Sequence, residues 1–356
     1  QFVAIASGTS STSVSADGIT WTAGGVLPAT ATWTALAFGN STLVAVASGG
    51  STGAYSINDG VSWTITTLSA SASWSDVAYG NGRFISIASG SNSTGYSSNG
   101  TTWAAGGTLP SSASWKSIAY GKGIWVAIAS LSTSAAYSTD NGATWTSATL
   151  PSAVNWSSVT YGHGRFVAVA NGTITCAYSF DGITWIVSSM TTSANWTSVG
   201  YGQGVFLAVA SGSNSVAYSD SGLIWKNTGD DSTAFTMPVS ANWSGIAFGN
   251  PVNTGKWVAV SSGPSAIGAY ILTGARAVAR ATVAAGRVSR ISIIEPGSGY
   301  TSLPTITVTD PNKTSSVYVR LRQGNGVLAQ PAFTNNGTGW LSSTTTCLLY
   351  TSDAAD

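Results

Sequence analysis

The chain has 356 residues, of which 42 are Gly and 15 are Trp, while only 7% are charged and the formal net charge is +1. That balance excludes a strongly basic nucleic-acid binder, and no apolar run is long enough to cross a bilayer as a helix. Abundant β-branched and aromatic residues punctuated by glycine, with no sustained helical periodicity, predict an all-β chain.

A unit of about forty residues recurs through residues 1–274, the mark of one small supersecondary element stacked many times. Its tryptophans form two sets: Trp33, Trp74, Trp115, Trp156, Trp196 and Trp243, then Trp21, Trp63, Trp103, Trp145, Trp185 and Trp225. The opening Gln1-Phe2-Val3-Ala4-Ile5 aligns with Arg83-Phe84-Ile85-Ser86-Ile87. The chain therefore opens inside a repeat, and a missing leader carries no information.

Within residues 74–114, Ser75–Tyr79 predicts a first strand and Gly80-Asn81-Gly82 a tight turn. Phe84–Ala88 predicts a second strand, residues 90–93 a loop and Gly95–Ser97 a third strand. Ser98-Asn99-Gly100 is a turn signal, and Thr102-Trp103 is expected to open a fourth strand. Four short antiparallel strands per unit make a propeller blade. The Phe-Val-Ala-Val-Ala type of strand begins at Phe2, Leu43, Phe84, Trp125, Phe166, Phe206 and Trp257. The expected fold is an all-β propeller of about seven four-stranded blades, the first lacking its inner strand, followed by a small β-rich module. Eight blades or an open arc remain alternatives.

The turn Ser-x-Asp-Gly-x-Thr-Trp stands at Ser15–Trp21 and Ser179–Trp185, with longer forms at Ser56–Trp63 and Ser138–Trp145 and degenerate ones at Ser97–Trp103 and Ser219–Trp225. It resembles the Asp-box of sialidase-like propellers. The resemblance implies structural turns at Asp17, Asp59, Asn99, Asp140, Asp181 and Ser221. The polar side chain would bond amides of its own turn while the Trp packs beneath.

The same resemblance raises glycoside hydrolysis, which needs two carboxyl groups, or a Tyr nucleophile with a Glu. Sialidases also hold their substrate carboxylate with three arginines. Residues 1–274 contain no glutamate and only Arg83 and Arg165 as arginines, in equivalent positions. No catalytic residue, metal site or cofactor is expected. His163, the only histidine, fits a surface turn at a slot that elsewhere holds Asn81, Lys122 or Gln203. With Cys347 set aside, Cys176 has no cysteine partner. Asp230 and Asp231 lie in an insertion, where a solvated loop is favoured over a cation site.

For binding, the Ser- and Asn-rich loops at 88–93 and 210–215 should share a rim with the links Leu109–Trp115 and Leu150–Trp156. Hydroxyls, amides and aromatic faces suit neutral sugars. Trp33, Trp74, Trp115, Trp156, Trp196 and Trp243 are the candidate stacking residues, although filling the wedges between blades is the role favoured for them.

After Tyr270-Ile271-Leu272 the repeat stops, and residues 275–346 are locally basic. Gly297-Ser298-Gly299-Tyr300 followed by Pro304-Thr305-Ile306-Thr307-Val308 resembles a small β module of tailed-bacteriophage structural proteins, with a looser copy at Asn336–Trp340. Residues 347–356 resemble a translated sequencing adapter, which predicts that neither end of the chain is native. These resemblances imply a virion protein of the tail or tail fibre, outside cells. Its partners would be other virion proteins and host cell-surface polysaccharide, with no nucleic acid and no membrane insertion. A sialidase-like hydrolase and a secreted or surface-attached bacterial adhesin are the alternatives.

Overall fold

The computed structural model describes residues 1–227, 237, 240–249 and 255–262 with their side chains, and beyond them the backbone of strands between Tyr270 and Tyr350. Every regular element among the described residues is a strand or turn.

The first unit is a three-stranded sheet of β1 (Phe2–Ile5), β2 (Thr12–Ser15) and β3 (Thr22–Ala23). A six-stranded sheet follows, with β4 (Thr32–Gly39), β5 (Thr42–Ser56), β6 (Thr64–Gly80), β7 (Arg83–Ser89), β8 (Thr94–Ser97) and β9 (Ala104–Ala105) in order. The fourth strand thus opens after Trp103 rather than at Thr102, because the Thr101 and Thr102 amides are held in the preceding turn by Asn99 Oδ1. A twelve-stranded sheet takes β10 (Trp115–Gly121), β11 (Ile124–Ala129), β12 (Ser132–Ser138), β13 (Thr146–Gly162), β14 (Arg165–Ser179) and β15 (Ile186–Gly202). It continues through β16 (Val205–Ser213), β17 (Val216–Ser219), β18 (Lys226–Asn227), β19 (Ala241–Gly249), β20 (Lys256–Ser262) and β21 (Tyr270–Leu272).

Adjacent units share strands. The first half of β6 pairs with β5, Thr64 opposite Tyr55, and its second half pairs with β7, Tyr79 opposite Phe84. One strand is therefore the outer strand of one unit and the inner strand of the next. In β6, β13 and β15 the link runs extended and pairs in part with the preceding unit, whereas residues 109–114 stay outside the strands as expected.

Each inner strand carries a bulge directly after its tryptophan, seen as register shifts at Trp33/Ala35, Trp74/Asp76, Trp115/Ser117, Trp156/Ser158, Trp196/Ser198 and Trp243/Gly245. The bulged residue is left unpaired and turns the strand. In three units its hydroxyl reaches the neighbouring unit, whereas Ser75 and Ser244 bond the Ile87 and Val260 carbonyls of their own. Thr34, Ser157 and Thr197 Oγ donate to the carbonyls of Trp74, Trp196 and Trp243 at 2.7–2.9 Å. Lys116 occupies this place in its unit and has no hydroxyl to offer.

The core lies between units. One cluster joins Ile85 and Ile87 to Trp115, Ile118 and Trp125 of the next unit; another joins Val126 and Ile128 to Trp156 and Phe166. Each buried indole withdraws roughly 200 Å² from water, worth up to about 5 kcal/mol on an extended-chain reference. Tyr79 lies flat on Gly39, Tyr120 on Gly80, Tyr161 on Gly121, Tyr201 on Gly162 and Phe248 on Gly202, so close that a Cβ on each glycine would fall 1.9–2.2 Å from the ring.

The first and last repeats also touch. Gly18, with φ 72°, would place a Cβ 2.8 Å from Val258, just as Gly182 would place one 2.7 Å from Val126 of its neighbour. Such turns need the left-handed backbone and the bare surface that glycine provides. The units therefore close on themselves.

Beyond Leu272, β22 (Val278–Ala284) and β23 (Arg287–Glu295) form an antiparallel pair. β24 (Thr305–Thr309) pairs with the strand Thr346–Tyr350. Residues 347–350, set aside for their adapter resemblance, thus run as a strand, as their apolar Leu-Leu-Tyr allows. The motifs at Gly297–Tyr300 and Asn336–Trp340, and Asp230 and Asp231, lie outside the described residues.

Candidate functional site

Two faces follow from the antiparallel order. The inner hairpins and the Ser-x-Asp turns share one face: Arg83 Nη1 donates to the Asn141 carbonyl at 2.8 Å, and Asn141 Nδ2 to the Asn81 carbonyl at 3.3 Å. The loops after each second strand and the links into each inner strand share the other.

The Ser-x-Asp turns are self-contained. In the first, Gly18 N–H donates to Ser15 Oγ at 2.7 Å, Ser15 donates to Asp17 Oδ1 at 3.0 Å, and the amides of Ile19 and Thr20 donate to the same oxygen at 2.7 and 2.8 Å. Asn99 and Asp181 repeat the pattern. Asp140 accepts from the Thr144 hydroxyl and amide at 2.6 and 2.9 Å. The Thr20 and Ile19 amides hold the Asp17 carboxyl down at about 2, and the Thr144 hydroxyl and amide do the same for Asp140. Burial raises Asp181, but amides of Thr184 and Ile183 with the Ser179 and Thr184 side chains outweigh it, and the carboxyl stays below its ordinary value.

In the second unit the acceptor is Asn58, not Asp59. Asn58 Oδ1 receives Ser56 Oγ–H at 2.9 Å and the Ser62 amide at 3.0 Å, while Asp59 only supplies the left-handed step at φ 57°. The acceptor always stands two residues after the serine, a spacing that identifies Asn58 from sequence alone. Ser221 sits at that spacing but offers no carboxylate or amide oxygen. Ser219 Oγ therefore donates to the Ile224 carbonyl at 2.5 Å, and Ser221 Oγ accepts only the Leu223 amide at 3.2 Å. Every acceptor is engaged within its own turn, so the set reads as structural.

The six candidate stacking tryptophans are not a sugar platform. Trp33, Trp74, Trp115, Trp156, Trp196 and Trp243 are at most 3% exposed. Most are anchored by the indole N–H to the carbonyl four residues back, as in Trp156 to Ser152 at 3.0 Å. The hydrophobic drive to fill the wedge between units leaves none of these faces to a ligand.

The opposite rim contains what the sequence had not resolved. Cross-strand partners run Asn155–Asn171–Asn195–Ser211–Asn242–Ser262 without interruption. Directly opposed residues lie on the same face at the strand spacing of about 5 Å, so these groups form one polar ladder across six strands of the large sheet. Asn155, Asn195, Asn242 and Ser262 are exposed, and Asn171 and Ser211 partly so. Ser130 Oγ donates to Asn155 Oδ1 at 2.5 Å and Ser211 Oγ to Asn242 Oδ1 at 3.3 Å, which orients both amides. Ser48, Ser73 and Ser89 form a shorter ladder in the six-stranded sheet. The sequence signal was the polar residue just before each inner-strand tryptophan, at Thr32, Ser73, Ser114, Asn155, Asn195 and Asn242.

The titratable groups stand apart from this rim. His163 lies in an inner-hairpin turn at φ 47°, held below its ordinary pKa by enclosure and by Arg165. The Arg83 and Arg165 guanidinium groups cover the rings of Tyr96 and Phe180 at 4.2 and 4.8 Å rather than converging. Burial raises the Cys176 thiol to about 11, which makes it inert at neutral pH. Asp76, at the second residue after Trp74, accepts the Ile118 amide of the next inner strand at 2.9 Å and its neighbour Val77's at 2.8 Å. Part of the residue remains accessible, yet the carboxyl is enclosed between inner strands, and this burial raises it to about 6. Ser117, Ser158 and Ser198 make the equivalent contact to Val159, Val199 and Ile246 at 3.2–3.3 Å. Among the described residues no group of His, Cys, Asp or Glu could hold a metal ion.

No family profile and no curated protein matches the chain. Solved structures do. YCF48 bound to D1 peptide is 15% identical over 72% of this chain and 84% of its own, with a TM-score of 0.55. YCF48 from Cyanidioschyzon merolae is 16% identical over 68% and 83%, TM-score 0.51. Virginiamycin B lyase from Staphylococcus aureus is 15% identical over 71% and 85%, TM-score 0.60. All are β-propellers, and at this identity the likeness is one of fold alone.

Proposed function

We propose that this propeller is a non-enzymatic structural or host-recognition component of a tailed-bacteriophage tail or tail fibre, and that its ladder-bearing rim takes neutral cell-surface polysaccharide. The observation that carries the binding part is the row Asn155–Asn171–Asn195–Ser211–Asn242–Ser262. Amides and hydroxyls recur there at the strand spacing of about 5 Å, close to the length of one pyranose in an extended chain. Each donor–acceptor pair is weak alone, but many in register act on one polymer by avidity. The virion part is supported by the Gly297-Ser298-Gly299-Tyr300 module and by the low charge of the repeats.

Retention on immobilised bacterial polysaccharides and a glycan array tests the reading. Saturable binding of a neutral polymer is expected, weakened at least tenfold by Asn155→Ala with Asn195→Ala and unchanged by Ile183→Ser on the opposite face. Retention by no polymer ends the polysaccharide reading. Turnover of sialosides or polysaccharides ends the non-enzymatic one, and an origin beside genes other than capsid and tail genes ends the virion one.

A further inference from the structure

One backbone position on the ladder-bearing rim breaks the repeat. The chain leaves each second strand by the same step, after Ala6-Ser7, Ala47-Ser48, Ala88-Ser89, Ala129-Ser130, Ala170-Asn171 and Ala210-Ser211. The next residue is Gly8, Gly49, Gly90, Gly172 or Gly212 in five of these units, at φ 72–85°. In the remaining unit it is Leu131, at φ 55°. Left-handed backbone penalises a side chain with a Cβ, and leucine has no polar group to bond locally in return. Packing does not recover the cost. A Cβ at Gly8, Gly49, Gly90 or Gly212 would meet nothing within 4 Å, and the Leu131 side chain is 75% exposed. Strain kept without a packing return is the mark of a functional position.

The backbone fixes where Leu131 stands. Its N–H donates to the Val154 carbonyl at 2.9 Å, and Ser130 Oγ donates to Asn155 Oδ1 at 2.5 Å. Leu131 is therefore the apolar neighbour of Asn155, the first amide of the run Asn155–Asn171–Asn195. Ser130 occupies the amide oxygen of Asn155, and among the described residues Asn155 Nδ2 has no partner.

We infer, on the polysaccharide reading of this rim, that Leu131 and Asn155 form a subsite for the acetamido group of an N-acetylhexosamine unit in the polymer. An acetamido group carries an acceptor oxygen and a methyl on one carbon. Asn155 Nδ2 donates to that oxygen and Leu131 covers that methyl, which removes apolar surface of both partners from water. A polymer of plain hexoses offers no methyl to Leu131. The rungs beyond Asn155 take the hydroxyls that all such polymers share.

The test uses the full chain and neutral polymers that contain N-acetylhexosamine, each beside a sample in which formamido groups replace the acetamido groups. That change keeps the carbonyl and deletes the methyl. Binding should weaken by about three- to fivefold, the worth of one methyl withdrawn from water. Leu131→Gly should weaken binding of the acetamido polymer by at least that factor and raise the melting temperature, because it relieves the left-handed step. Leu131→Met should keep the preference. Equal binding of both samples, undiminished binding by Leu131→Gly, or a lower melting temperature in Leu131→Gly overturns the inference and leaves the polysaccharide reading standing. Retention of neutral plain-hexose polymers alone does the same, and retention of no neutral polymer overturns both.

Discussion

Phe2 lies over Gly249, so close that a Cβ on that glycine would stand 2.6 Å from the Phe2 ring. The two residues belong to the first and last repeats. Their contact stands where an inner-strand aromatic covers glycine at the other junctions, which ties closure of the fold to the bare surface of single glycines.

That dependence predicts the cost of a methyl group. Gly121→Ala would put a Cβ 1.9 Å from Tyr161 Cγ, and the ring can leave only by opening the junction. Urea denaturation should show a loss of about 2–4 kcal/mol. Gly50→Ala, whose nearest neighbour is 4.0 Å away, should stay within about 0.5 kcal/mol of wild type.

The second turn distinguishes two adjacent residues. Asn58→Ala removes the acceptor of Ser56 Oγ and the Ser62 amide and should cost about 1–2 kcal/mol. Asp59→Gly relieves a left-handed side chain and should be neutral or slightly stabilising, read by thermal melting. Equal losses from both would contradict this assignment.

Asp76 makes stability depend on pH. Its folded pKa is raised from 3.8 to about 6, so its contribution is fully present below 3.8 and is lost as pH rises through about 6. Asp76→Ser keeps an acceptor for the Ile118 amide, as Ser117 does for Val159. It should stabilise the protein by on the order of 1–2 kcal/mol at pH 7.5 and not at pH 4. Asp17 and Asp140 act oppositely: their carboxyls are held down at about 2, so the stability they confer is present above about 4 and fades between there and 2. Melting temperature across pH 2–8 reads both trends.

Lys116 interrupts the inter-unit clasp. Lys116→Thr supplies the hydroxyl that Thr34, Ser157 and Thr197 place on the next tryptophan carbonyl, here that of Trp156. At pH 4.5, where Asp76 is mostly neutral, urea denaturation should show a gain of about 0.5–1.5 kcal/mol. No gain would mean that the clasp adds nothing to packing.

The propeller was legible because its determinants are local and repeated. Asn81-Gly82 fixes a hairpin, Ser15-x-Asp17 closes a turn, and Trp74 recurs at the repeat period. What depended on register was not legible. The bulge after each tryptophan decides which neighbour Thr34 reaches, and the strand spanning residues 64–80 serves two units, so its link reads as a loop until the register is known. Composition cannot say which side of a sheet a ring faces, so from sequence the tryptophans remain sugar-stacking candidates beside their favoured wedge-filling role. The ladder from Asn155 to Ser262 exists only once six strands are aligned.

Closure is tested most directly by nuclear Overhauser contacts in protein selectively labelled at Phe, Tyr, Val and Gly. Contacts are expected from the Phe2 ring to Gly249 Hα, with Tyr79 to Gly39 as the internal reference. Observing the Tyr79–Gly39 contact without Phe2–Gly249 would contradict a closed ring and leave a curved, open stack of repeats.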